Sequence, residues 1–142
     1  MKSFLSNVDH DRIVSAIAAA EARSSGEIRV HVHHRAVRDP IAAAKKIFEK
    51  LGMTRTAQKN GVLIFVAPRS RNFAILGDSG IHDRCGEHFW KSAAAEMTRL
   101  FGEGDFTGGI VATIEKLGEA LEAHFPRGVK DANELPNQVD ES

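Results

Sequence analysis

Gly61-Val62-Leu63-Ile64-Phe65-Val66-Ala67 is the stretch on which the fold turns. The run is continuously apolar, β-branched at Val62, Ile64 and Val66, and too short for a typical helix. That is the pattern of a central strand buried on both faces. Pro68-Arg69-Ser70-Arg71 reads as a turn, and Asn72-Phe73-Ala74-Ile75-Leu76-Gly77 as a second apolar strand. So short a link makes these two strands antiparallel. Upstream, Glu27 to His33 alternates, with Ile28, Val30 and Val32 on one side and Arg29, His31 and His33 on the other. Period two predicts a half-buried strand, either at a sheet edge or with one poorly covered face.

Between the first strand and the central one, Asp39-Pro40 opens a helix, because aspartate accepts from free N–H groups and proline at the first helical position forfeits nothing. Its apolar stripe is Ile41, Ala44, Ile47, Phe48 and Leu51, and Gly52 suits the left-handed stop. Two strands joined through a helix run parallel, so the sheet is predicted to be mixed. A first helix capped by Asn7 or Asp9 runs to about Arg23, with Ile13, Ile17 and Ala20 on one face. A third spans roughly Glu87 to Leu100, carrying Phe89 and Trp90 mostly into the core, with Trp90 a partner contact if exposed. In the last helix, capped by Asp105, Ile110, Ile114, Leu117 and Leu121 form one apolar face, and Pro126 closes it. The expected fold class is α/β, a small mixed sheet of three to four strands covered by amphipathic helices. The expected organisation is one domain over 1–126 and a polar, flexible tail over 127–142.

The chain has 142 residues, 42% hydrophobic and 27% charged, enough to build a core without staples. Nineteen basic residues balance nineteen acidic ones, so no global field favours nucleic acid or an acidic membrane surface. Cys85 is the only cysteine, which excludes an internal disulfide and multi-thiolate metal sites. No apolar run approaches a membrane span and no signal-like segment precedes Asp9. The expectation is a soluble, cytoplasmic protein.

From Asn60 through Ala67 the chain begins to resemble the TPM domain family. The likeness continues through Phe73-Ala74-Ile75-Leu76-Gly77-Asp78-Ser79-Gly80-Ile81-His82, Phe89-Trp90, Gly104-Asp105-Phe106 and Gly109-Ile110, and takes in Glu27-Ile28-Arg29-Val30, Phe125-Pro126 and Asn133-Glu134-Leu135-Pro136. It covers about Val8 to Pro136. The resemblance implies a three-layer α/β/α sandwich. It also implies a range of roles, since TPM domains include membrane-tethered bacterial proteins, a chloroplast lumen protein with acid phosphatase activity, and an animal receptor modulator. Most members carry a signal peptide and often a membrane anchor, so this chain looks like a short, cytosolic, stand-alone branch. Where many members have Gly-Tyr-Gly-Leu-Glu, this chain reads Gly77-Asp78-Ser79-Gly80-Ile81-His82-Asp83, so a phosphatase site does not carry over residue by residue.

That stretch is the strongest candidate site. It follows an apolar strand, Gly77 and Gly80 frame a sharp turn, and Asp78, Ser79, His82 and Asp83 place oxygens and an imidazole close together. Calcium or magnesium wants several oxygens around one point, so a divalent-cation site formed by Asp78, Asp83 and Asp105 is one expectation. The other is structural, with Asp78 bracing the turn and the glycines at positive φ. His31, His33 and His34 invite a zinc reading, but two same-face histidines beside Arg29 fit a solvated strand face better. Cys85 near His88 lacks a phosphate loop ending in arginine, and the glycines of 102–109 lack the Gly-Lys-Ser/Thr of a nucleotide loop.

No nucleophile–base pair or cofactor fingerprint is present, so the leading expectation is a non-enzymatic accessory module with a protein partner, tuned by a divalent cation. The competing one is a weak phosphomonoesterase in which Asp78 and Asp83 hold a metal.

Overall fold

Every position of β2 (Gly61–Ala67) is buried, as a strand with no polar side chain requires. The computed structural model describes residues 8–127 and 139–141. On one side β2 pairs in parallel with β1 (Glu27–Val32), Glu27 facing Gly61 and Val32 facing Val66. On the other it pairs antiparallel with β3 (Asn72–Gly77), Ala67 facing Asn72. A fourth strand, β4 (Val139–Glu141), lies parallel to β1 with Asp140 facing His31. The sheet order is β3-β2-β1-β4.

One expectation is corrected here: β1 is an interior strand and all six of its residues are buried, including Glu27, Arg29 and His31. Its polar alternation does not mark a wet face, because β4 closes the flank and brings a carboxylate to that side. The stretch expected as a polar tail also includes β4. Val139-Asp140-Glu141 has period two, so Val139 packs against the larger core while Asp140 points to the opposite face. Residues 128–138, which include Leu135 and Pro136, lie outside the described residues, as do 1–7.

Helices cover both faces. In α1 (His10–Ala22), Asp9 accepts from the Arg12 N–H at 3.1 Å. In α2 (Pro40–Lys50), Asp39 accepts from Ala42 N–H at 3.1 Å, and Gly52 takes φ 72° just beyond the end. There follow α3 (Ser79–Cys85), α4 (Glu87–Gly102) and α5 (Phe106–His124). Asp105 caps α5 through Gly108 N–H at 2.9 Å.

Ile28, Val30, Val32, Val62, Ile64 and Val66 face Ile13 and Ile17 of α1, Met97 of α4, and Ile110, Ile114, Leu117 and Leu121 of α5 in one core. Leu63, Phe65, Ala67 and Ala74 face Ala44, Ile47 and Phe48 of α2, with Met53, in the other. The period-two side chains of β2 thus divide between two helical layers, giving a three-layer α/β/α sandwich. Each fully buried aliphatic or aromatic side chain contributes about 1.5–3 kcal/mol relative to exposure.

One buried feature works against neutral pH. The Glu21 carboxylate, on α1, accepts from Ile28 N–H at 2.8 Å, and the Glu27 carboxyl hydrogen-bonds to it. Burial first, and the Glu27 charge in addition, push Glu21 up to about 8 against the opposing pull of the Ile28 N–H and Arg127. A carboxyl whose folded pKa exceeds its unfolded value of 4.5 stabilises the fold fully below that value and loses its contribution as pH rises to about 8. Glu21→Gln is therefore expected to flatten the decline in stability between pH 5 and 9 by about 2 kcal/mol, the proton being shared with Glu27. Urea unfolding of both proteins across that range measures it.

Candidate functional site

The segment after β3 is a short helix rather than the expected turn. Asp78 Oδ1 accepts from Ser79 N–H at 2.8 Å, and the Asp78 carbonyl accepts from His82 N–H at 2.8 Å. Asp78 is thus the N-cap of α3, and its Oδ2 is buried with no hydrogen-bond partner among the described residues. Gly77 and Gly80 are not at positive φ, which corrects that expectation. They permit close approach instead. A Cβ on Gly77 would lie 2.6 Å from the Trp90 ring, and one on Gly80 would lie 2.2 Å from the Gln58 carbonyl oxygen.

The carboxylates expected to share a cation occupy different places. Asp78 lies at the sheet end, Asp83 is exposed on α3, and Asp105 is exposed at the start of α5, where capping engages it. Among the described residues no group of three or more histidine, cysteine, aspartate or glutamate side chains is placed to hold a metal ion. Asp78 instead borders a groove of about 430 Å³ between α2 and the end of β3. Lys45, Lys46, Phe48 and Glu49 form one wall; Thr54, Leu76 and Gly77 complete it.

The other candidates resolve into structure. The Trp90 indole N–H donates to the His82 carbonyl at 3.2 Å and its ring stacks on His82. Cys85 is half-buried against the larger core, and burial pushes its thiol up, away from the thiolate a nucleophile needs.

A polar cluster that was not foreseen lies beneath β4. Arg29 and His31, 4% and 1% exposed, share the α2-side face of β1. His31 Nδ1 lies 2.7 Å from Asp140 Oδ2, and Arg29 Nη2 lies 3.8 Å from Asp140 Oδ1. The His31 ring stacks on Phe65 at 5.6 Å, and its Nε2 approaches His33 Nδ1 at 3.4 Å. Burial lowers the His31 pKa and outweighs the upward pull of Asp140. The expected solvated face is thereby corrected, and the zinc reading loses a ligand atom because Nδ1 is engaged by Asp140. A basic residue two places from a histidine on one strand face was visible in the sequence. Nothing near them pointed to an acid 109 residues away.

The TPM domain profile matches residues 1–120, and the fold and order of elements are those described above. The chain belongs to the TPM domain family. Among solved structures, this TPM domain is similar to the BA42 protein of the psychrophilic bacterium Bizionia argentinensis, with 40% identity and a TM-score of 0.87 over 94% of this chain and 92% of that one. The N-terminal domain of the cg2496 protein of Corynebacterium glutamicum shares the fold, with 18% identity and a TM-score of 0.63 over 87% of this chain and 76% of that one. No curated protein gives a significant match. No described helix of the TPM domain is long and apolar enough to cross a membrane.

The junction of β3 and α3 depends on Gly80, whose added methyl would meet the backbone oxygens of Gln58 and Lys59, not a flexible side chain. Gly80→Ala is expected to cost about 1–3 kcal/mol through overpacking. A lowered urea midpoint with an unchanged slope is the result to look for.

Proposed function

We propose that this TPM domain is a non-enzymatic interaction module that docks an extended partner segment along the outer edge of β3. The observation that carries this reading is the open edge itself. β3 is a terminal strand of the sheet, and Asp78 N–H donates to the Gly61 carbonyl at 2.9 Å. Hydrogen-bonded and non-bonded pairs alternate in an antiparallel ladder. The register therefore turns the N–H and C=O groups of Phe73, Ile75 and Gly77 away from β2. Phe73 and Ile75 are half-buried, so the edge combines apolar surface with backbone groups that have no strand partner among the described residues, as strand addition requires. The neighbouring groove supplies Lys45 and Lys46 at its rim.

Peptides selected from a displayed library on the intact protein, then titrated against it while amide NMR shifts are followed, test the proposal. The expected shifts centre on Phe73, Ile75 and Gly77, and Ile75→Pro, which removes an outward N–H at an edge position, is expected to weaken binding at least ten-fold. Shifts confined to other surfaces would overturn it. Turnover of a chromogenic phosphate ester with calcium or magnesium, lost in an Asp78→Asn/Asp83→Asn variant, would favour a metal-assisted phosphomonoesterase instead.

The unpartnered, buried Asp78 Oδ2 favours one addition, a calcium or magnesium ion in the groove that tunes docking, since hard cations seek carboxylate oxygens. Calorimetric titration of either ion is expected to give heat with the wild type and none with Asp78→Ala. Equal heats would remove Asp78 from any cation site.

A further inference from the structure

The edge of the sheet opposite β3 is covered by β4, which pairs with β1. Arg29 and His31 are two basic side chains nearly sealed inside the protein on one face of β1. The acid that meets both is Asp140, on a strand of three residues. β4 rests on β1 and, to a smaller extent, on α1. Of its three residues Val139 is the one packed against the larger core, and the Asp140 side chain retains 27% of its exposure.

The fit is also incomplete. Asp140 gives its short contact to His31 and stays 3.8 Å from Arg29 Nη2, beyond hydrogen-bond range. Arg29 Nε is buried without a hydrogen-bond partner among the described residues. A guanidinium presents a planar fork that a carboxylate satisfies best with two parallel bonds, and here that fork is only partly used. The seat therefore has unspent capacity for an acid.

We propose that the β1 edge is a binding site for an extended acidic segment of a partner protein, and that Val139–Glu141 occupies it in cis as a displaceable plug. The ligand is a strand parallel to β1 with a carboxylate facing His31, in the place of Asp140, and reaching Arg29 more closely. A plug tethered to the same chain competes at an effective concentration on the order of millimolar, so it holds the site shut against weak ligands and yields to a better-fitting one. This site and the β3 edge lie on opposite sides of the sheet, so either proposal can fail without the other.

The test uses the full chain and a fluorescent peptide of sequence Asn-Gln-Val-Asp-Glu-Ser, the stretch 137–142, beside a version with Asn in place of its Asp. Asp140→Lys sets a positive charge against Arg29 in place of the carboxylate that His31 contacts, and expels the plug. The Asp peptide is expected to bind that variant at least ten-fold more tightly than it binds wild type, and at least ten-fold more tightly than the Asn peptide does. Equal affinity for both proteins, or no preference for the Asp peptide, overturns the proposal. Hydrogen exchange on the wild type keeps it falsifiable should the variant not fold. The β4 amides and the β1 amides bonded to them are expected to exchange at least a hundred-fold faster than Leu63 and Ile64 of β2. Protection equal to that of β2 would mean that β4 is a permanent strand. A wild-type dimer that Asp140→Lys dissociates would assign the seat to a second copy and likewise overturn the proposal.

Discussion

The structure depends on the complete burial of one strand. Gly61–Ala67 has no polar side chain to offer water, so both faces must be covered, and its ladder groups need partners on both flanks. The first demand produces two helical layers, α2 with its small core on one side and α1, α4 and α5 with the larger core on the other. The second draws in β1 and β3. Most of the remaining arrangement accommodates these two demands, including the glycines at 77 and 80 that let α3 and α4 fold tightly against the end of the sheet.

Much of this was legible in the residues. The unbroken apolar run marked the buried strand, the four-residue link marked an antiparallel partner, and the aspartates at 9, 39 and 105 marked three helix starts that the structure places there. What failed did so for physical reasons. Alternation on β1 looked like a wet face because pattern reasoning assigns charge to solvent, whereas a buried charge is allowed wherever a distant opposite charge meets it. The partner of Arg29 and His31 sits in a segment whose composition is that of a loop. Ser79–Cys85 was missed because seven residues containing a glycine and followed by another carry little helical signal. Asp78 ahead of Ser79 was still a readable cap, the same chemistry as at Asp39.

The candidate site was less legible than the fold. Position along the chain singled out Asp78, and the structure does place it beside the groove, but it parts Asp78 from Asp83 and Asp105. Grouping acids by sequence proximity fails on a helix such as α3, because a cap and a residue five positions on are not held around one point. The two sheet edges matter more. β3 is left without a neighbour among the described strands, while β1 is covered by a strand of three residues, so the two flanks of one sheet are managed in different ways.

The separation between Arg29 and Asp140 has a consequence for how the molecule is made. A ribosome adding about 5–20 residues per second delivers the helix-linked β1–β2 pair, and then β3, well before the acid appears. A nascent chain must therefore tolerate two basic groups beside an uncapped strand edge for several seconds, an interval in which that flank is open to chaperones or to premature pairing with a neighbouring polypeptide. Placing a charge rather than an apolar row at that edge keeps it hydrated while it waits, and the late arrival of Asp140 completes the sheet.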